Sequence, residues 1–497
     1  MTKDEAIREG FASPGSLSDW HASVAREYSR QSVDSPSIRS IQANLILALR
    51  ELLTRTSYKA WTFAGVAIRQ AQALRLGQEY HKRLGNRQKE VQRRTYWACF
   101  IMDRLISHSC WRPQTLDIDC VRLNLPAPEN LFTFDEPFEG PKIQTLTFQT
   151  EVSRLGLAPY FLAALHLWAQ ATYVQVKGGR QHHRDHPSIP ESDLYHLEKK
   201  IEEFCSSVPP SMRWSTQNMR VFHHTGQQGL FVNFHFLINH MRSAMHQEYL
   251  PYRDSTNTTA TQNGLQDDHD QNAGDFGGWD EKLVSICISS SEAILEIVAE
   301  LYSDDRSAIS PLRSVFAANA MLSAANIQLW IRYVDTKGDA IWAAAAAKVD
   351  EISSVFELWR NQWPVADAWS STLASLRRLY EATYSMNIGS GNESGNLEKN
   401  ADALPAIIER DDYEQSCLQL IEGNGLPDWN EGISDKIRFL LLASLEDTDA
   451  RERVLSSSIS ILKQQSWEYE GFLEDLEHGF SDLGAENSWP GFVDDYV

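Results

Sequence analysis

The chain has 497 residues, of which 42% are hydrophobic and 15 are tryptophan, and its formal net charge is −21 at pH 7. That length and apolar content exclude a wholly disordered chain and leave room for two or three domains around a sizeable core. A run of about 18 uncharged apolar residues is missing and Met1 leads into a polar, charged segment, so a soluble, intracellular protein is expected rather than a membrane-spanning or secreted one.

Charge is unevenly placed. Residues 1–125 carry 19 Lys/Arg against 12 Asp/Glu and the remainder 27 against 55, giving +7 and −28. An acidic body repels nucleic-acid phosphates, whereas affinity for DNA needs cations that release counterions. Six cysteines, Cys99, Cys110, Cys120, Cys205, Cys287 and Cys417, form no C-x-x-C pair. Neither a disulfide framework nor a zinc site is legible in them, and buried thiols are expected.

Residues 1–36 read as a polar N-terminal segment. After Pro36, Ser37 is placed to cap a helix on which Ile38, Ile41, Leu45, Leu49 and Leu52 recur at spacings of three and four, forming one apolar stripe. Trp61, Ala64, Gly65, Ile68 and Ala71 repeat the pattern. Gly65 costs about 1 kcal/mol of helix propensity against alanine, so a close helix crossing is expected there. The cations Lys82, Arg83, Arg87, Lys89, Arg93 and Arg94 then read as a solvated connection between helices, with DNA contact or a split nuclear import signal as the weaker readings.

From Tyr96 to Met102, Trp97 included, the pattern is apolar around the whole helix, as in a central helix wrapped by neighbours. Asp103 and Arg104 follow inside it, and their burial requires partners. Arg69 and Arg112 are the cations expected to pair with Asp103, making a structural latch between this helix, the preceding one and the Arg112-Pro113 turn. The other reading has these residues lining an effector pocket. An extended segment bearing Asp117 and Asp119 runs on to Pro126.

Further helices are expected at 151–176, 190–206, 217–249, 280–302, 310–335, 340–360 and 365–387, with Ser188, Pro190 and Glu191 arranged as a capping box. The array lacks strand-and-helix alternation and reads as all-α and multi-helical, in two parts, 37–252 and 279–387. Residues 253–278, rich in Asn, Thr, Asp and Gly, read as a disordered insertion. Residues 388–465 read as a linker and acidic region. The last segment, 466–497, has no Lys or Arg and alternates acids with Trp467, Phe472, Phe480, Trp489 and Phe492. That composition suits an activation segment folding against a coactivator groove, and it also suits a C-terminal helix packed on the body through Trp467, Phe472 and Leu476.

Residues 91–126, VQRRTYWACFIMDRLISHSCWRPQTLDIDCVRLNLP, resemble the regulatory middle homology domain of fungal zinc-cluster transcription factors: a basic, aromatic, Asp-Arg helix, an Arg-Pro turn and an acidic extended segment. Residues 60–77, with Trp61, Gly65, Ala67, Ile68, Arg69 and Ala71 in order, resemble the family's preceding helix. The VPPSMRWS run at 208–215, residues 231–250 and the Trp-rich stretch 359–380 resemble its later helices, so the likeness covers roughly 37–385. It implies a nuclear regulator of RNA polymerase II transcription whose helical body is regulatory or effector-sensing. Arg69, Arg94, Trp97, Asp103, Arg104, Arg112 and Pro113 are its structural or regulatory candidates. The family's DNA reader is a cluster of six cysteines holding two zinc ions, followed by a linker and a dimerising coiled coil. Its zinc ligands are not found in this sequence, so DNA is expected to be reached through an upstream cluster or a partner subunit, with no cofactor in this chain.

Two readings from other classes are a DNA-binding-deficient cofactor and a helical enzyme acting on an apolar small molecule. The enzyme would need converging acids or a metal site. His182, His183 and His186 lie in a polar loop, and His235, His240 and His246 recur at five and six, off one helical face. The DDHD at 267–270 sits in the stretch without a hydrophobic face, and Cys99 lies in the most apolar part of the chain, where a thiol lacks an electropositive, accessible setting. A non-enzyme is expected, with no membrane contact.

Overall fold

In the computed structural model the described residues are 8, 10–79, 84–109, 112–145, 155–176, 189–250, 277–303, 313–334, 339–360 and 363–390. They belong to the first of the chain's two units, Met1–Ser444; the second is Leu445–Val497. Lys82, Arg83, Cys110, Trp111, His182, His183, His186, Ser188, Cys417, nearly all of the 253–278 insertion and the whole 466–497 segment lie outside the described residues.

Among the described residues there are thirteen α-helices and no strand. They are α1 (Pro14–Gln31), α2 (Ile38–Leu53), α3 (Ser57–Ala73), α4 (Asn86–Ser109), α5 (Glu129–Thr133), α6 (Leu157–Val176), α7 (Asp193–Ser207), α8 (Thr216–His224), α9 (Gln228–His246), α10 (Gly277–Ser303), α11 (Val315–Tyr333), α12 (Asp339–Arg360) and α13 (Val365–Ser390). The all-α expectation stands, and none of these helices is long and apolar enough to cross a membrane.

The first turns follow local chemistry. Ser37 caps α2 reciprocally with Ser40, as its position suggested. Ser13 does the same with Ser16 ahead of Pro14, so a helix occupies much of the segment read as merely polar. On α2, Ile41, Leu45 and Leu52 are buried as expected, but Leu49 is 39% exposed and Ala48 takes the inner position. On α3 the inner face is Ala60, Ala64, Ala67, Ile68 and Ala71. These alanines let α2 and α3 approach; Gly65 has open space where a Cβ would stand, so a close crossing is not its reason.

Two expected boundaries shift. The helix foreseen over 217–249 is broken at Gly226, whose φ of +71° is the left-handed region that glycine enters without steric cost, and the chain forms α8 and α9 instead. Helix α7 starts at Asp193, capped by the Ser192 hydroxyl accepting from the Tyr195 amide.

Packing runs as a relay. Helices α2 and α3 lie against each other and both against α4; α4 meets α6, α6 meets α9, and α9 meets α10 and α11, with α12 and α13 closing on α11. Helix α9 is buried on nearly every side, from Phe231 to Met245. Its histidines His235, His240 and His246 are buried. His235 donates from Nε2 to the Met212 carbonyl at 3.0 Å, and burial pushes its pKa down to about 4, the carbonyl opposing that shift. Burial lowers His166 on α6 to about 4 as well, helped by the Arg104 charge.

A pKa depressed in the folded state means that the unfolded chain takes up the proton first. The stability due to His235 is therefore full above its unfolded value and is lost as pH falls toward 4. Lowering the pH from 7 to 5 is expected to cost about 2 kcal/mol through this residue alone. Urea unfolding of the parent chain and His235→Gln, which keeps a donor for the Met212 carbonyl, should show the shallower acid slope in the variant.

Candidate functional site

Helix α4 carries a row of polar side chains on one face. Glu90, Arg94, Trp97 and Arg104 stand four, three and seven residues apart, which aligns them along the helix, with Arg93 and Asp103 on the flank. Facing them, residues 115–127 run antiparallel to α4, extended apart from a single 3-10 turn at Ile118–Cys120, burying Leu116, Val121, Leu123, Leu125 and Ala127. Side chains of the helix satisfy the backbone of that segment at its two ends and at Asn124, while its middle is met by its own turn, by the Gly77 and Pro141 carbonyls and by Glu79 and Gln144.

At the lower end Glu90 accepts from the Ala127 amide at 2.9 Å, and Arg94 donates to the Ala127 carbonyl at 3.3 Å. Trp97 Nε1 donates to the Asn124 carbonyl at 2.9 Å. At the upper end Asp103 accepts from the amides of Thr115 and Leu116 at 2.9 and 3.1 Å, while Arg104 donates to the Leu116 carbonyl at 2.6 Å. The helix thus supplies two acceptors, Glu90 and Asp103, and three donors, Arg94, Trp97 and Arg104, to backbone that lacks a neighbouring strand.

Both ends are charge clusters within the core. Glu90 pairs with Arg93 and, at 2.9 Å, with Arg94; Arg93 also reaches Glu79 at 2.9 Å and Arg94 reaches Glu129 at 2.9 Å. Asp103 and Arg104 pair with each other while exposing only 4% and 3% of their surface, and the guanidinium lies 4.5 Å from the Phe100 ring centre. Burial pushes the Asp103 carboxyl above its ordinary range and the Arg104 guanidinium below its own; their mutual attraction opposes both shifts, as do the Thr115 and Leu116 amides for Asp103.

The expected partners of Asp103 are corrected here. Arg69 is exposed and donates to Gln72 on its own helix at 2.9 Å. Arg112 sits over Trp61, 5.7 Å from the ring centre, and its amide donates to the Ser107 carbonyl. Pro113, exposed, only turns the chain back along α4. Asp103 finds its cation one residue away because both side chains reach the same returning segment, at Thr115 and Leu116. Glu79, Glu90 and Glu129 were missed from sequence, although Glu90 carries a signal, being four residues before Arg94 and seven before Trp97.

A cleft of about 280 Å³ opens beside the lower cluster, bordered among others by Arg87, Glu90, Arg93, Phe132 and Asp135. Asp103, Arg104 and Arg112 do not border it. Asp135 holds its rim by accepting from the Arg87 amide at 2.8 Å. Among the described residues there is no grouping of three or more His, Cys, Asp or Glu able to hold a metal ion. Burial pushes the Cys99 thiol up to about 12, so it is a thiol rather than a thiolate at neutral pH.

The model of the fungal specific transcription factor domain matches residues 18–266, half of the chain, spanning α1 through α9 and thus the whole ladder. The chain belongs to this family. Among its relatives, an uncharacterized transcriptional regulatory protein of Schizosaccharomyces pombe is 22% identical over 416 residues, covering 75% of this chain and 57% of the relative. A second such protein of that yeast is 27% identical, covering 47% of this chain and 26% of the relative. The Zn(2)-C6 fungal-type transcription factor FTF1c of Fusarium oxysporum f. sp. lycopersici is 27% identical, covering 45% and 26%. The chain therefore spans between about a quarter and somewhat over half of these relatives' lengths. No solved structure matches.

Removing one member of a buried, hydrogen-bonded pair costs about 3–5 kcal/mol. Asp103→Ala is expected to lose that much stability in urea unfolding, and Arg112→Ala, which gives up a half-exposed cation–ring contact, about 1 kcal/mol or less. Because the two side chains share no contact, the double variant should lose the sum to within about 0.5 kcal/mol; a clear shortfall would show that they are coupled after all.

Proposed function

We propose that the chain is a nuclear regulator of RNA polymerase II transcription in which the helical body is the regulatory and effector-sensing part. The observation that carries this is the family match, which covers the helices that build the α4 ladder, together with relatives described as transcriptional regulators. DNA is reached through a zinc cluster not among these residues or through a partner subunit. The acidic body, with 67 Asp/Glu against 46 Lys/Arg, suits protein contacts better than phosphate contacts. Residues 466–497, in whose sequence acids alternate with aromatic residues, recruit a coactivator.

The effector reading rests on the cleft beside Glu90 and Arg93. Both residues border the cleft and belong to the cluster that fixes Ala127, so a small polar molecule bound there would compete for the hydrogen bonds that hold the returning segment to α4. A ligand changes an equilibrium only by binding one arrangement better than another, and the sharing of Glu90 between cleft and returning segment supports such a difference here.

Tethered to a heterologous DNA-binding domain in a fungal host, the chain is expected to raise transcription of a reporter, and deletion of residues 466–497 to remove the gain. A reporter unmoved in either direction by the tethered full chain would sink the transcriptional reading, while a gain that survives the deletion would place activation elsewhere in the chain.

A further inference from the structure

Helix α3 turns outward a face that is basic and aromatic at once. Tyr58, Trp61, Thr62, Gly65, Arg69 and Gln72 fall within an arc of about 100° at 3.6 residues per turn, away from the alanines that pack on α2. Tyr58 and Trp61 are 51% and 43% exposed. Each ring has a cation against it: Lys59 Nζ lies 5.6 Å from the Tyr58 ring centre and Arg112 Cζ 5.7 Å from that of Trp61. About two turns beyond Trp61 on the same face, Arg69 is exposed and donates to the Gln72 amide oxygen.

These cations have no carboxylate. Residues 52–78 contain no Asp or Glu, although the chain as a whole carries a net charge of −21. Among the described residues none of Lys59, Arg69 and Arg112 forms an ion pair, whereas Arg93 and Arg94 on α4 are each held by two glutamates. Gly65 adds a second, independent feature. It stands four residues from both Trp61 and Arg69, with open space where a Cβ would be. It costs the helix about 1 kcal/mol against alanine and serves no packing inside the chain, but a glycine in the middle of an exposed face lets another backbone approach closely.

We propose that this face of α3 docks an acidic, apolar peptide segment of a partner protein, with its carboxylates on Lys59, Arg69 and Arg112, its apolar side chains on Tyr58 and Trp61, and its backbone over Gly65. A nucleic acid fits less well. Cations spread along about 16 Å of helix would meet few phosphates, and a chain of net charge −21 repels a long polyanion more than a short peptide that also buries apolar surface. One helix face is a small interface, so the contact is a transient one.

Fluorescence polarisation of a labelled amphipathic peptide of about twelve residues, built from Asp, Glu, Leu and Phe, should report binding to the full chain. The Kd should be on the order of 100 μM or tighter and should weaken as salt is raised. Arg69→Glu reverses a charge at an exposed position, and Gly65→Gln places a side chain in open space where helix propensity improves. Both should keep the thermal unfolding midpoint and weaken the peptide by about fivefold or more. The same peptide with Asn and Gln in place of Asp and Glu should lose binding to a similar degree. A full chain that ignores the acidic peptide overturns the proposal, as does binding that survives both variants or is matched by the amide peptide. A charge-matched oligonucleotide that binds tighter and displaces the peptide also overturns it, and assigns the face to nucleic acid.

Discussion

Among the described residues, 115–127 form only isolated β bridges, Gln78–Arg122 and Asn124–Lys142, and side chains of α4 answer the backbone at Thr115, Leu116, Asn124 and Ala127. Each buried amide or carbonyl left unmet there would cost about 1–3 kcal/mol. That requirement brings Glu90, Asp103 and Arg104 into the core, with Arg93 as a counter-ion of Glu90, where charge is otherwise unfavourable. Taken as pairs the ions add little net stability, because desolvation consumes most of their attraction. What they fix is register: Asp103 is matched to Thr115 and Leu116, and Glu90 to Ala127, so the segment can lie along α4 in one position only.

The same helix joins the N-terminal helices to the rest of the body. Past the ladder it presents His108 to α6 and α9. The His108 ring lies 4.7 Å from Trp168 and 5.6 Å from His240, and Trp168 Nε1 donates to His240 Nδ1 at 3.0 Å. An Nδ1 that accepts carries its proton on Nε2 when the ring is neutral, so this bond also sets the tautomer of His240. Three helices thereby meet at one aromatic and imidazole cluster in the core. A shift of α4 along its axis would have to break both this cluster and the ladder, which is why the two are mechanically one unit.

Periodicity made the helices legible. The expected 280–302 and 340–360 appear as Gly277–Ser303 and Asp339–Arg360, because apolar residues at three and four are a direct print of the buried face. The break at Gly226 was not legible, since hydrophobic spacing continues across it and only the backbone angle reveals the turn. Helix α1 escaped notice for a related reason: of its buried residues Leu17, Ala22 and Ser29 only the first carries a strong hydrophobic signal, and its conspicuous Trp20, Val24 and Tyr28 are exposed. At the site, Asp103 and Arg104 stood out as charges in an apolar run. Their partners did not, because a neighbouring residue on a helix is not ordinarily a facing one, and backbone amides leave no mark in sequence at all. Glu90 was hidden differently, sitting among lysines and arginines where it looks like part of a solvated face.

That disguise also bears on the apparent basic patch from Lys82 to Arg94. Counted along the chain it offers six cations, but in the fold two of them are consumed. Arg93 is 5% exposed and held between Glu79 and Glu90, and Arg94 is held by Glu90 and Glu129 with its guanidinium 4.1 Å from the Phe132 ring centre. Phosphate binding would require breaking these pairs before any counterion is released, a cost that exposed lysines do not carry. Arg87, for its part, already donates to the Thr133 carbonyl at 3.2 Å. The charge of Arg93 and Arg94 therefore acts inward, neutralising the carboxylates that hold the returning segment, and a count of cations along the sequence overstates what these two can offer to a nucleic acid.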